Sequence, residues 1–244
     1  PMVEAYLFFY DQLTEFFLGT KTDPPQGDST LEARLDESLQ ALRNALQVVA
    51  IDLDPGDDAQ VIFETLNARG VPLLPSDLLR NFIFLRASRK DEPPKVLYDT
   101  YWSTFDTEPG DPVDPTGEPF WKVGERQGRL TNTRLDTMLY HYVSMRTMND
   151  VKLDHVFEEF KQWWLAGKKD VDQELVRLKQ AAAVFRAMVY PDRTTRLGRF
   201  AHNLRVLDST TVTPVVLFLA ERLGCDSDAF LSCLTVIESY LVRR

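Results

Sequence analysis

Residues 61–81 read VIFETLNARGVPLLPSDLLRN, and they bring a helix stop, a fixed turn and a helix start together in one short stretch. Upstream, Val61, Ile62 and Leu66 recur at helical spacing, which predicts a helix over residues 57–68. Gly70 supplies the left-handed conformation that ends many helices. A second helix is expected from Pro75, because the first helical position needs no N–H, and Asp77 falls in its first turn, where the peptide dipoles favour a carboxylate. Two helices should therefore meet at an elbow near Asn67, Arg69, Asp77, Arg80 and Asn81. These polar groups serve either each other's backbone or a ligand. Cap and turn residues ordinarily do local work, which puts the structural role first.

The rest of the chain reads mostly as helix. Residues 2–18 carry a broad apolar stripe, residues 19–28 form a loop, and Ser29 or Thr30 caps a helix running to about Leu46. Val48, Val49 and Ile51 mark a strand over residues 47–53, followed by the turn Asp54-Pro55-Gly56. No other strand is convincing. A lone strand leaves its N–H and C=O groups unpaired, so its partners are expected in a sheet outside this sequence. After the elbow, the second helix continues through residue 88, and Pro93-Pro94 opens another that carries Val96, Leu97, Tyr101 and Trp102. Residues 106–119, DTEPGDPVDPTGEP, must be a loop and are the best boundary. Helices are expected beyond it at 132–147, 154–166, 170–190, 194–206, 212–223 and 227–243. The expected class is mainly α, a multi-helix fold with at most a small β element near residues 47–53. It divides into residues 1–105, the loop 106–119 and a helical bundle domain at 120–244. No repeat period emerges.

Composition narrows the function. The 244 residues are 44% hydrophobic, enough for a substantial core in one large or two small domains. No apolar run is long enough to span a membrane and no signal-peptide layout is present, so the expected location is the cytoplasm. Cys225 and Cys233 stand eight apart on one expected helix, about 12 Å along its axis, too far for a disulfide. They read as buried, inert thiols. Neither a P-loop nor a G-x-S-x-G elbow occurs. His141, His155 and His202 never pair at ligand spacing, so no catalytic residue and no metal site is assigned.

The net charge of −9 is unevenly spread. Residues 1–128 hold 11 basic against 23 acidic side chains, residues 129–205 hold 14 against 9, and residues 206–244 hold 3 against 5. Within the basic section, Arg186, Arg193, Arg196, Arg199 and Arg205 are candidate DNA-binding residues, since clustered arginines neutralise phosphates. A solvated face paired with the acidic half is the plainer alternative. Of Trp163 and Trp164, one should enter the core and the other remain partly exposed, a simpler reading than a base-stacking platform. Asp52, Asp54, Asp57 and Asp58 offer oxygen ligands, but capping of the following helix explains them more simply.

The pattern FE-x-LN-x-RG-x-PL followed by DLL-R-N resembles the signature of the DUF262 family, which includes the GmrSD-type, modification-dependent (type IV) DNA restriction enzymes. Phe63, Glu64, Leu66, Asn67, Arg69, Gly70, Asp77, Leu78, Arg80 and Asn81 carry the match. VVAIDLDPGDDAQ at residues 48–60 is similar to the strand that precedes this signature, and IESYLVRR at 237–244 to the helix before the family's nuclease region. The resemblance implies that residues 1–105 are the C-terminal part of a ParB-like domain. One departure stands out: Leu74 replaces the family's small polar residue, so the second helix lacks a side-chain N-cap oxygen, with Asp77 expected to compensate from the third helical position. The family's DGQQR-type motif for nucleotide hydrolysis and its HNH-type nuclease motif are both missing from this sequence.

The chain therefore reads as an internal piece of a larger NTP-dependent DNA endonuclease. It is expected to link a nucleotide-hydrolysing domain to a nuclease and to contact DNA, with NTP and divalent metal belonging to the parent protein and no cofactor in this piece. Its expected partners are DNA and the flanking domains. The alternative from a different class is a non-catalytic helical protein-interaction module.

Overall fold

The computed structural model describes residues 2–19, 30–46, 73–89, 93–106, 117–127, 130–167 and 169–243. The expected strand at 47–53, the helix at 57–68, the Gly70 hinge and the four aspartates at 52–58 lie outside the described residues. The chain forms two compact units, Pro1–Asp58 and Ala59–Arg244.

In the first unit, α1 (Met2–Leu18) packs against α2 (Leu31–Ala45). Thr30 caps α2 as expected: its hydroxyl accepts a hydrogen bond from the Ala33 N–H at 3.4 Å. Helix α1 exposes Tyr6, Phe8, Phe9, Tyr10 and Phe16, and α2 buries none of its residues.

The first described element of the second unit is α3 (Pro75–Arg89), the helix that the signature leads into. Next, α4 (Pro94–Leu97) runs through a π-turn at Tyr98–Trp102 into α5 (Ser103–Asp106). The π-turn shifts the register so that both Leu97 and Trp102 reach the core. A 3-10 turn at Phe120–Lys122 then leads to β1 (Gly124–Gln127) and β2 (Leu130–Thr133). The remaining helices are α6 (Arg134–Thr147), α7 (Val156–Leu165), α8 (Val171–Val189), α9 (Arg196–Val206), α10 (Thr213–Leu223) and α11 (Asp228–Arg243). Each of these six ends within two residues of its expected limits. Helices before and after residues 106–119 share one core.

The class is mainly α with a small β element, as expected, but the described hairpin lies where no strand was expected. The described strands form an antiparallel hairpin at 124–133, with Gly124 opposite Thr133 and Gln127 opposite Leu130. Because the two strands pair with each other, they need no further sheet. The hairpin delivers Thr133 to the start of α6, where its hydroxyl accepts from the Asp136 N–H at 3.1 Å. Asp170 and Thr195 cap α8 and α9 in the same way.

Helix α6 is the centre of the unit and packs against α3, α7, α8 and α10. Phe82 of α3 meets Phe157, Phe160 and Trp164 edge-on at centroid distances of 6.1, 6.2 and 6.0 Å. Such pairs add about 0.5–1.5 kcal/mol each beyond their burial. Trp164 is buried while Trp163 is half-buried, as the sequence predicts, with the Lys169 ammonium 3.9 Å over the Trp163 ring. A polar network also ties α6 to its neighbours. Tyr142 OH donates to Glu174, Arg146 Nε donates to the Tyr142 oxygen at 3.1 Å and to Glu174 at 3.2 Å, and Arg146 Nη1 reaches Glu221 at 3.0 Å. Burial works against the Arg146 charge, but Tyr142 and Glu174 outweigh it and hold the guanidinium protonated. Both cysteines are half-buried free thiols, not fully buried ones, and Cys225 lies in the turn after α10, off the expected helix.

The start of α3 corrects the capping expectation. Asp77 does not supply the missing oxygen; its carboxylate pairs with Arg80 at 3.2 Å. The acceptor comes from α6, where buried Asp136 Oδ1 takes the Ser76 N–H at 2.9 Å and Oδ2 takes the Thr133 hydroxyl at 2.6 Å. One carboxylate therefore serves two helix starts. Asp136→Ala is expected to lower stability by about 2–4 kcal/mol, because it leaves the Ser76 N–H buried without a partner and weakens the α6 cap. Asp136→Asn, which keeps one acceptor, should lose about half as much; urea unfolding of both variants measures the difference.

A second tight spot holds α9. A Cβ on Gly198 would stand 1.8 Å from the Asp192 carbonyl oxygen, so only glycine admits this loop. Gly198→Ala should cost about 3 kcal/mol, read as a fall in Tm of about 10 °C by calorimetry.

Candidate functional site

Of the signature residues, Phe63, Glu64, Leu66, Asn67, Arg69 and Gly70 lie outside the described residues. Asp77, Leu78, Arg80 and Asn81 are on the first two turns of α3. Leu78 is half-buried against the core, and Asn81 is exposed. Arg80 Nη2 reaches Asp77 at 3.2 Å and its Nη1 reaches Asp106 at 3.6 Å. Asp106 also accepts from Tyr98 OH at 2.6 Å and from Lys122 Nζ at 3.4 Å. That hydrogen bond to Asp106 raises the Tyr98 pKa, with desolvation adding to it. Partly exposed ion pairs contribute only about 0–1 kcal/mol each, so this group fixes the approach of α5 and the 3-10 turn to α3 more than it stabilises the fold.

The candidate arginines have separate roles in the structure. Arg186 on α8 lies with its guanidinium 5.0 Å over the Phe120 ring. Arg196 Nη2 bonds Glu238 of α11 at 2.5 Å and Thr235 at 3.2 Å. Arg199 Nη1 donates to the carbonyls of Thr194 at 2.8 Å and Arg193 at 3.4 Å. Arg205, nine residues after Arg196, falls on the opposite side of α9 at 100° per residue. Arg193, Arg199 and Arg205 are exposed, while Arg186 and Arg196 are half-buried.

A feature that the sequence reading passed over lies on one face of α6. Thr137 and His141 are one helical turn apart and both are buried, with 2% and 3% exposure. Neither Thr137 Oγ1 nor His141 Nδ1 has a hydrogen-bond partner among the described residues. Both residues belong to the lining of a cavity of about 180 Å³, which Phe185, Met188 and Leu204 share with the charged Glu125, Arg205 and Asp208. His141 also lines a second hollow, together with Asp150. Burial pushes the His141 pKa down to about 4, so the imidazole is neutral at physiological pH. Only the helical spacing of the two residues could have flagged this face from sequence.

His141 predicts a pH dependence. Unfolding raises its pKa from about 4 to an ordinary 6.5, so the unfolded chain binds more protons between these values and stability falls as pH drops through the window. The full effect is about 3 kcal/mol. His141→Gln should remove this slope, seen as a wild-type minus variant difference in unfolding free energy that shrinks from pH 7 towards pH 5.

Among the described residues no group of three His, Cys, Asp or Glu gathers where it could hold a metal ion, and no helix is long and apolar enough to cross a membrane. No curated protein and no solved structure matches the chain. Residues 2–84 match the family model of the GmrSD restriction endonuclease, N-terminal domain, a span that includes the whole 61–81 signature and ends inside α3. The chain thus carries, over residues 2–84, sequence of the GmrSD N-terminal-domain family.

Proposed function

We propose that this chain is the central helical portion of a modification-dependent DNA restriction or phage-defence protein, linking a nucleotide-hydrolysing domain to a nuclease and contacting DNA. The observation that carries the proposal is the family match over residues 2–84, joined to the way its last helix is built into the bundle. Leu79, Phe82 and Ile83 of α3 are buried in the core shared with α6 and α7, and Asp136 of α6 accepts from the α3 backbone. A segment fixed at both its core and its cap suits a rigid connection between domains. In this reading NTP and divalent metal belong to the flanking parts of the parent protein.

The DNA contact falls to α9 and the loop before it, where Arg193, Arg199 and Arg205 are exposed. Arg199 keeps its charge although its donors meet carbonyl oxygens, while Arg196 is matched by Glu238. A second reading, a helical protein-interaction module, draws support from the exposed aromatic side chains of α1.

Affinity for duplex DNA with and without modified bases, measured at two salt concentrations, tests the DNA contact. Binding should weaken with salt, the log–log slope growing by about −0.9 per phosphate contacted. Arg193→Ala with Arg199→Ala should flatten that slope by about 2. No binding, or binding indifferent to salt, would favour the interaction module.

A further inference from the structure

The turn that leads into α9 makes one arginine depend on another. The Thr195 N–H donates to the Asp192 carbonyl at 3.0 Å, closing a β-turn with Arg193 and Thr194 at its corner. Asp192 Oδ1 accepts from the Thr194 N–H at 2.9 Å and from the Thr194 hydroxyl at 2.7 Å. These bonds, the backbone one foremost, hold the Asp192 carboxyl below its ordinary pKa, so it stays charged. Thr195 Oγ1 donates to the Asp192 carbonyl at 2.9 Å and accepts from the Gly198 N–H at 3.0 Å, which ties the turn to the start of α9.

Arg199 holds the turn from its other edge. Its Nη1 donates to the Thr194 carbonyl at 2.8 Å and to the Arg193 carbonyl at 3.4 Å. The peptide between Arg193 and Thr194 is therefore held at its N–H by Asp192 and at its C=O by Arg199. A guanidinium spreads five donors over three nitrogens, and Nε and Nη2 of the exposed Arg199 make no hydrogen bond among the described residues. The Arg193 side chain is also exposed and has no hydrogen bond or ion pair among the described residues, not even with adjacent Asp192. Arg196 differs, because Glu238 matches it. A fixed backbone lowers the ordering cost of a contact made by the side chain it carries. The charged carboxylate one residue away opposes a phosphate, so the direction in which the turn presents Arg193 decides whether that contact forms.

We propose that Arg199 is a positioning residue for the DNA contact: it clamps the Arg193–Thr194 turn, so that the phosphate contact of Arg193 depends on it, and its remaining nitrogens meet a second phosphate. The inference rests on the DNA contact proposed for α9 and adds that these two arginines act as a coupled unit, not as separate charges.

The salt dependence of duplex DNA binding by the full chain and its variants tests the coupling. Arg193→Ala should flatten the log–log slope by about 1, the share of one phosphate. Arg199→Ala should flatten it by about 2, because the Arg193 contact goes with it, and the double variant should lose no more than Arg199→Ala alone. Arg199→Lys keeps the charge but gathers its donors on one nitrogen, and should flatten the slope by about 1. Both side chains are exposed and Thr195 still caps α9, so the variants keep the fold. Independent arginines predict instead about 1 for each alanine variant, about 2 for the double variant and an unchanged slope for the lysine. That pattern would overturn the coupling and leave the DNA contact standing. A wild-type chain that binds no DNA overturns the DNA contact, and the coupling with it.

Discussion

A single buried carboxylate sets the geometry of the second unit. Asp136 stands in the first turn of α6, where the helix dipole favours its charge, and it accepts there from the hydroxyl that caps its own helix. Its other oxygen accepts from the start of α3, a contact between residues sixty positions apart. A helix beginning Leu74-Pro75 has no capping oxygen of its own, and a buried N–H without a partner costs about 1–3 kcal/mol. Docking α3 on α6 removes that cost and places Phe82 among Phe157, Phe160 and Trp164. Capping and core packing therefore point to the same arrangement.

Helix α6 divides its polar work by face. Its first turn holds α3 through Asp136, and its last turns hold α8 and α10 through Tyr142, Arg146, Glu174 and Glu221. Between them lie Thr137 and His141, whose Oγ1 and Nδ1 are buried without a hydrogen-bond partner among the described residues. Groups of similar burial on one helix have thus met opposite fates. Glu174 can remain in the interior because Arg146 and the Tyr142 hydroxyl surround it, an arrangement whose loss from one side leaves the other charge stranded. His141 has no such partner and is neutral instead.

The sequence made the local features legible. Apolar spacing located the helices after residue 130, and Thr30, Pro75 and Pro94 marked starts where the structure has them. Features that depend on distant residues were not legible. The hairpin at 124–133 escaped because GERQ and LTNT lack the alternating apolar residues that identify a half-buried strand. Asp136 looked like an ordinary first-turn acid, and nothing near Leu74 announces an acceptor sixty residues away. The arginines cluster in sequence, but α9 turns Arg196 and Arg205 to opposite sides, and the partners Glu238 and Phe120 come from other elements. For the candidate site, the spacing of Thr137 and His141 was readable, but their lack of partners was not.

The family sequence and the compact units divide the chain at different places. Residues 2–84 carry the GmrSD N-terminal-domain sequence, yet α1 and α2 belong to the first unit while α3 belongs to the second. The family match ends at residue 84, in mid-helix, and α3 continues to Arg89 with Ala87 fully buried. A helix cannot be cut there without exposing half of its core face, so the signature helix and the bundle form one physical object. Any force transmitted along the chain to residue 75 meets a helix start already fixed by a buried charge-assisted hydrogen bond and an aromatic cluster. The helix that the 61–81 signature leads into is therefore anchored by residues that the signature itself does not contain.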